Sequence, residues 1–222
     1  MEKRFFQSFF LQVIYTCICR WFLKIVVGVQ FDDNKLLKQE KQFIILANHN
    51  SHLDTITLLA SLPPKMLYKV KPIAARDYFG KTPFRAALSN YFINTLLIDR
   101  KGGRDSLHSI DKIIEALDEG YSLILFPEGT RNENQTMGKL KSGIAHILSA
   151  RSSIKYIPTY LTGMRQSLPK GKFMVLPYKA SVHFGTPTLV QDGTPHEIVA
   201  LITHDFESMQ AKYEPLVSDD EE

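Results

Sequence analysis

The chain has 222 residues, 44% hydrophobic and 23% charged, with 12 Gly and 11 Pro; this describes one globular domain with a sizeable core and excludes disordered, collagen-like and solenoid chains. Its two cysteines, Cys17 and Cys19, sit too close for an ordinary bridge, which excludes a disulfide framework or a four-ligand zinc knuckle and fits a reducing compartment. The net charge of +4 is uneven: the last nine residues hold Glu214, Asp219, Asp220, Glu221 and Glu222, and without those five charges residues 1–213 stand at +9, a balance suited to an anionic partner.

Residues 5–31, FFQSFFLQVIYTCICRWFLKIVVGVQF, are apolar enough to suggest a membrane but are interrupted by Arg20 and Lys24. Ser8, Gln12, Thr16, Arg20 and Lys24 recur at every fourth position. Each step advances about 40° around a helix, so the stripe stays within a sector about 160° wide. A polar sector opposite Phe, Ile, Val and Trp21 suits a helix lying in the membrane interface, its cations at headgroup level, rather than one that spans. A signal peptide fits less well, for want of a small-x-small cleavage site. An amphipathic helix capping the protein's own core is the alternative.

Beyond residue 42 short apolar runs alternate with helical periodicity, which predicts a single α/β domain with a largely parallel central sheet flanked by helices. FIILA (43–47), TLLI (95–98) and SLILF (122–126) read as strands buried on both faces. Between the last two, Leu107, Ile110, Ile114 and Leu117 recur as one face of a crossover helix, so the strands at 95 and 122 should run parallel. Further helices are expected around 52–61, 83–92, 141–150 and 195–211, and strands near 66–75, 154–161 and 173–184. The acidic tail should be disordered.

A polar cluster follows each apolar strand: NHNSHLD (48–54), Asp99 with Arg100, and PEGTR (127–131). Ligands bind outside the carboxyl ends of parallel strands, so these clusters should converge. His49 and Asp54 can meet if His49 stays in the loop and Asp54 opens the next helix behind Ser51 as N-cap; the imidazole is then an oriented general base. The same S-x-x-D spacing also reads as a capping box that serves the helix alone. Arg100 and Arg131 offer planar forks for a phosphate, and Glu128 with Gly129 a tight turn that can approach a polyol, although surface salt bridges would use the same arginines. No G-x-S-x-G, P-loop or H-E-x-x-H pattern is present, no ligand cluster accompanies His49 and His52 to bind a metal, and no motif points to nucleic acid.

These residues resemble the glycerolipid acyltransferases typified by the lysophosphatidate acyltransferases. The N-H-x4-D block matches at Asn48, His49 and Asp54, and F-P-E-G-T-R matches throughout from Phe126 to Arg131. The second family block matches at Ile98, Asp99 and Arg100, with Asn94 in its glycine position, and the looser fourth block resembles YIPTY around Pro158. Arg76, Lys141 and Gly143 fall at positions where the family pattern is loose.

The resemblance implies transfer of a fatty acyl group from acyl-CoA or acyl carrier protein to the free hydroxyl of 1-acyl-sn-glycerol 3-phosphate, without a cofactor or metal. His49 would be the base and Asp54 its orienting partner, while Arg100, Glu128, Gly129, Thr130 and Arg131 would bind the glycerol phosphate. It divides the chain into a membrane-associating segment (1–30), an acyltransferase domain (31–213) and a tail (214–222), placed on the cytoplasmic face of a membrane. Another acceptor (glycerol 3-phosphate, a lysophospholipid, a lyso-aminolipid), a non-catalytic binder of anionic lipid and a lipid hydrolase are the alternatives.

Overall fold

The computed structural model describes residues 2–33, 35–76, 93–99, 104–131, 137–167 and 179–214. Among them seven strands form one sheet: β1 (Val29–Phe31), β2 (Phe43–Ala47), β3 (Val70–Ala75), β4 (Leu96–Ile98), β5 (Ser122–Leu125), β6 (Lys155–Thr162) and β7 (Ala180–Phe184), in the order β1-β7-β6-β2-β5-β3-β4. Neighbours run parallel except β6 and β7. The helices are α1 (Glu2–Gln12), α2 (Arg20–Phe22), α3 (Lys35–Gln39), α4 (Asp54–Ser61), α5 (Arg104–Asp118), α6 (Gly143–Ala150), α7 (Met164–Ser167) and α8 (Pro195–Tyr213).

The apolar run of β2 works on both faces, as a strand sandwiched between helix layers must. Phe43, Ile45 and Ala47 enter a core completed by Leu58, Leu59 and the N-terminal helix, while Ile44 and Leu46 enter a second one built with α5, α6 and α8. β4 departs from the expectation of burial on both faces: it ends the sheet beside β3, and all three of its residues are half-buried. The crossover helix α5 buries Ile113, Ala116 and Leu117, with Ile110 alongside, so its inward face is centred on Ile113 and Ile114 is only partly covered. β4 and β5 do run parallel, each paired with β3 between them. The helix expected at 83–92, much of the strand expected at 173–184 and the tail from residue 215 lie outside the described residues.

The N-terminal segment is a continuous helical rod, α-helical in α1 and α2 and π-wound over Val13–Cys19 and Leu23–Val27. Phe6–Val27, 22 residues, is long and apolar enough by length and composition to cross a membrane. Leu11, Tyr15, Leu23 and Val27 are buried in the domain's own core, whereas Phe6, Phe9, Ile18, Trp21 and Ile25 are each at least 60% exposed. One face of the segment therefore caps the protein's own core, the alternative reading, while an apolar face stays exposed.

Gly28, at φ 85°, ends the rod in the left-handed conformation that glycine adopts without penalty. The chain then enters β1, which pairs with β7 in register Val29↔Ala180. Residues 29–31 thus belong to the sheet, two residues earlier than the expected boundary at 31. Arg20 also differs from the headgroup position expected for it. Its Nη1 donates to the Ala60 carbonyl in the last turn of α4 at 2.8 Å, and its guanidinium lies 4.3 Å above the Phe31 ring. A helix C-terminus carries unsatisfied carbonyls and partial negative charge, so the cation turns inward to them.

Candidate active site

Register brings the two motif blocks together. β2 and β5 are adjacent and parallel with Leu46 opposite Leu125, so His49 and Glu128, each three residues further on, leave the same end of the sheet side by side. The loop after β2 is anchored from the other flank by Asn48. Its amide donates to the Leu161 carbonyl at 2.9 Å and its carbonyl accepts from the Leu161 N–H at 2.7 Å, fixing the loop to β6.

His49 Nδ1 lies 2.9 Å from Asp54 Oδ2, with the carboxylate buried and the imidazole 19% exposed. The same oxygen accepts the N–H groups of Asn50 at 2.7 Å and Ser51 at 2.8 Å. Asp54 therefore serves both roles the spacing allowed, shaping the loop and orienting the histidine. Ser51 is not the N-cap: Leu53 occupies that position, and Ser51 Oγ instead accepts from the Leu53 N–H at 3.3 Å. With Nδ1 donating to a carboxylate, Nε2 holds the lone pair and becomes the basic nitrogen. The Phe126 ring, from the end of β5, stacks on the imidazole with centroids 4.1 Å apart.

Glu128 is buried, and its two oxygens hold two segments: Oε1 accepts the His49 N–H and Oε2 the Gly138 N–H, both at 2.9 Å. It braces the loop of the base, a role that only the fold reveals. Gly129 has φ 73°, and a Cβ there would lie 2.7 Å from the Lys141 side chain. The left-handed backbone is what calls for glycine; the flexible Lys141 side chain, for which the sequence offered no chemical argument, lies over the turn. Thr130 is exposed on the same turn. Arg131 reaches back to the first block, its Nη1 hydrogen-bonded to His52 Nε2.

Arg100 lies outside the described residues. Its neighbour Asp99 pairs with Arg76, Nε to Oδ1 at 3.2 Å, and more loosely with Lys112. Arg76 follows β3, at the same end of the sheet. Asn94 has φ 54° and donates to the Tyr68 and Val70 carbonyls at 2.8 and 3.1 Å. It keeps the left-handed backbone that glycine would adopt, since asparagine tolerates that region better than most residues. Pro158 pairs with Leu46 inside β6, and its carbonyl accepts the Gly185 N–H at 2.7 Å, an approach that leaves no room for a Cβ at Gly185. Gly143 opens α6 and meets only ordinary van der Waals contact.

The acyltransferase family model matches residues 28–162, more than half of the chain and including His49, Asp54 and the turn at Gly129. The chain belongs to the acyltransferase family. It is 25% identical over 179 residues to the mouse 1-acyl-sn-glycerol-3-phosphate acyltransferase alpha, covering 80% of this chain and 60% of that protein. The Limnanthes alba 1-acyl-sn-glycerol-3-phosphate acyltransferase is 25% identical over 209 residues, 89% of this chain and 68% of that one. The chain thus spans about 60% of the length of the mammalian relatives it matches. The chain shares its fold with the lysophosphatidic acid acyltransferase PlsC of Thermotoga maritima, at TM-score 0.76 and 18% identity over 98% of this chain and 84% of that one.

Proposed function

We propose that this acyltransferase moves a fatty acyl group from acyl-CoA or acyl carrier protein to the free hydroxyl of 1-acyl-sn-glycerol 3-phosphate, yielding phosphatidate for phospholipid synthesis. The observation that carries the reading is His49 Nδ1 at 2.9 Å from the buried Asp54 carboxylate. His49 Nε2 takes the proton of the acceptor hydroxyl as its oxygen attacks the thioester carbonyl. The resulting imidazolium is stabilised by Asp54, and the tetrahedral intermediate collapses by breaking the C–S bond. The departing thiolate takes the proton back from Nε2, so an ester and a thiol leave and the enzyme is unchanged. No acyl-enzyme and no cofactor are required.

Arg131, Thr130 and the Gly129 turn, with Arg100 by resemblance, receive the glycerol phosphate, and Glu128 fixes the geometry of the base loop. The exposed Phe6, Phe9, Ile18, Trp21 and Ile25 support attachment of the rod to a membrane surface, where acceptor and product reside. On this reading the active-site end of the sheet works at the cytoplasmic face of that membrane.

Purified full-length protein assayed for thiol release should show turnover with lysophosphatidate and either donor, and His49→Ala should abolish it. Wild-type turnover in that variant, or fatty-acid release without any acceptor, would overturn the reading. A panel with glycerol 3-phosphate and other lysolipids fixes the acceptor.

A further inference from the structure

His52 lies in the first block between Ser51 and Leu53 and has no role in the mechanism above, yet it is the residue to which Arg131 is hydrogen-bonded. We propose that His52 and Arg131 form a two-armed clamp for the acceptor's phosphate monoester, in which the bond between them is exchanged for one donated bond from each side chain to phosphate. The inference rests on the assignment of Arg131 to the glycerol phosphate and adds a second, unassigned ligand to it.

The argument starts from hydrogen-bond inventory. A guanidinium only donates, so His52 Nε2 must be accepting, which makes His52 a neutral imidazole with its proton on Nδ1. Desolvation of the covered part of its ring holds the His52 pKa below the ordinary histidine value, helped by the positive charge of Arg131 and by His49, while Asp54 pulls the other way.

A phosphate dianion entering between the two side chains reverses the balance. It attracts the guanidinium, removes the donor from Nε2 and supplies a negative charge that favours imidazolium. His52 then takes one proton from solvent and donates from Nε2. Two loops, one carrying the base and one carrying the turn, are thus drawn together by the ligand itself. The proton taken up by His52 makes recognition sensitive to phosphate and indifferent to the acyl chain.

The test uses full-length protein in two assays. Calorimetric binding of sn-glycerol 3-phosphate near pH 7, run in buffers of different ionisation enthalpy, measures proton uptake and does not depend on turnover. Wild type should take up more protons on binding than His52→Gln, in which the phosphate's own ionisation is unchanged. In steady-state turnover, His52→Gln should raise KM for lysophosphatidate about tenfold, the weight of one charge-assisted hydrogen bond. Its kcat should stay within about twofold, and any turnover of monoacylglycerol should be unaffected. Because His52 is exposed, the melting temperature should not move, which separates a ligand from a structural residue.

Binding with His52-dependent proton uptake but without acyl transfer would keep the clamp and sink the proposed activity. Acyl transfer with unchanged KM and unchanged proton uptake in His52→Gln would sink the clamp and keep the activity. Absence of glycerol 3-phosphate binding by the wild type also overturns the clamp.

Discussion

The carboxyl end of the sheet is built in two styles. At its centre, the loops after β2 and β5 are held by Asn48 on Leu161, Asp54 on two backbone N–H groups and Glu128 on two more, all with buried side chains. At its β3–β4 edge, Arg76 and Asp99 meet with side chains 51% and 40% exposed. The contrast teaches where this fold places precision. Proton transfer needs a base fixed to a fraction of an ångström and is mounted on strands with neighbours on both sides. An exposed ion pair costs little to rearrange.

The sharpest way to break that comparison is at the centre. His49→Ala should lower kcat by about 10³-fold or more while leaving the melting temperature nearly unchanged, since its loss removes the base but no brace. Asp54→Ala should match that loss of turnover and also lower the melting temperature, because it orphans the N–H groups of Asn50 and Ser51. If the two variants melt alike, Asp54 does not have the double role assigned to it.

Next in size is Glu128→Ala. Two part-buried N–H groups lose their acceptor, at about 1 kcal/mol each, and the peptide of His49 is unmoored, so both stability and kcat should fall, with Glu128→Gln intermediate. A change in KM alone would instead make the carboxylate a ligand for the acceptor. Asn94 comes third: Asn94→Ala should cost about 1–2 kcal/mol more than Asn94→Gly in chemical denaturation, because both lose the bonds to Tyr68 and Val70 but only alanine resists φ 54°. At the edge, Arg76→Ala should change stability by no more than about 0.5 kcal/mol.

The smallest effect is one of pH. His183, stacked on Tyr213 and 2.7 Å from Ser181 Oγ, has its pKa lowered from 6.5 chiefly by burial, partly opposed by Asp32. The unfolded chain then binds more protons than the native one as pH falls, so stability is full above 6.5 and declines as pH drops through the folded value. His52 has the same sign of shift. His183→Gln should therefore reduce, without abolishing, the slope of denaturation midpoint against pH below 6.5; a steeper slope would contradict the burial argument.

The rod extends the same contrast to the molecule's exterior. Removing it would strip Leu11, Tyr15, Leu23 and Val27 from the core, so attachment is better tested by serine at Phe6, Phe9, Trp21 and Ile25. Those substitutions should shift the protein from vesicles to solution at unchanged melting temperature.

Much of this was legible in the residues because it is local. Continuous apolar runs announced β2 and β5, and polar clusters after them announced where chemistry would sit. A spacing of five between a loop histidine and a helix-opening aspartate sufficed to let them meet. β1 was hidden because three residues after an apolar helix carry no periodicity of their own; its identity comes from β7. The half-burial of β4 and the inward turn of Arg20 depend on neighbours distant in sequence.

The same holds within the site. Residue types and their order along each strand determined the base, its partner and the glycine turn. Only the parallel register of β2 against β5 decided that Glu128 would brace the peptide of His49 and that Arg131 would meet His52. The physical reason is that a hydrogen bond is chosen by position in space. Residues separated by 79 positions acquire a common position only when the sheet has formed.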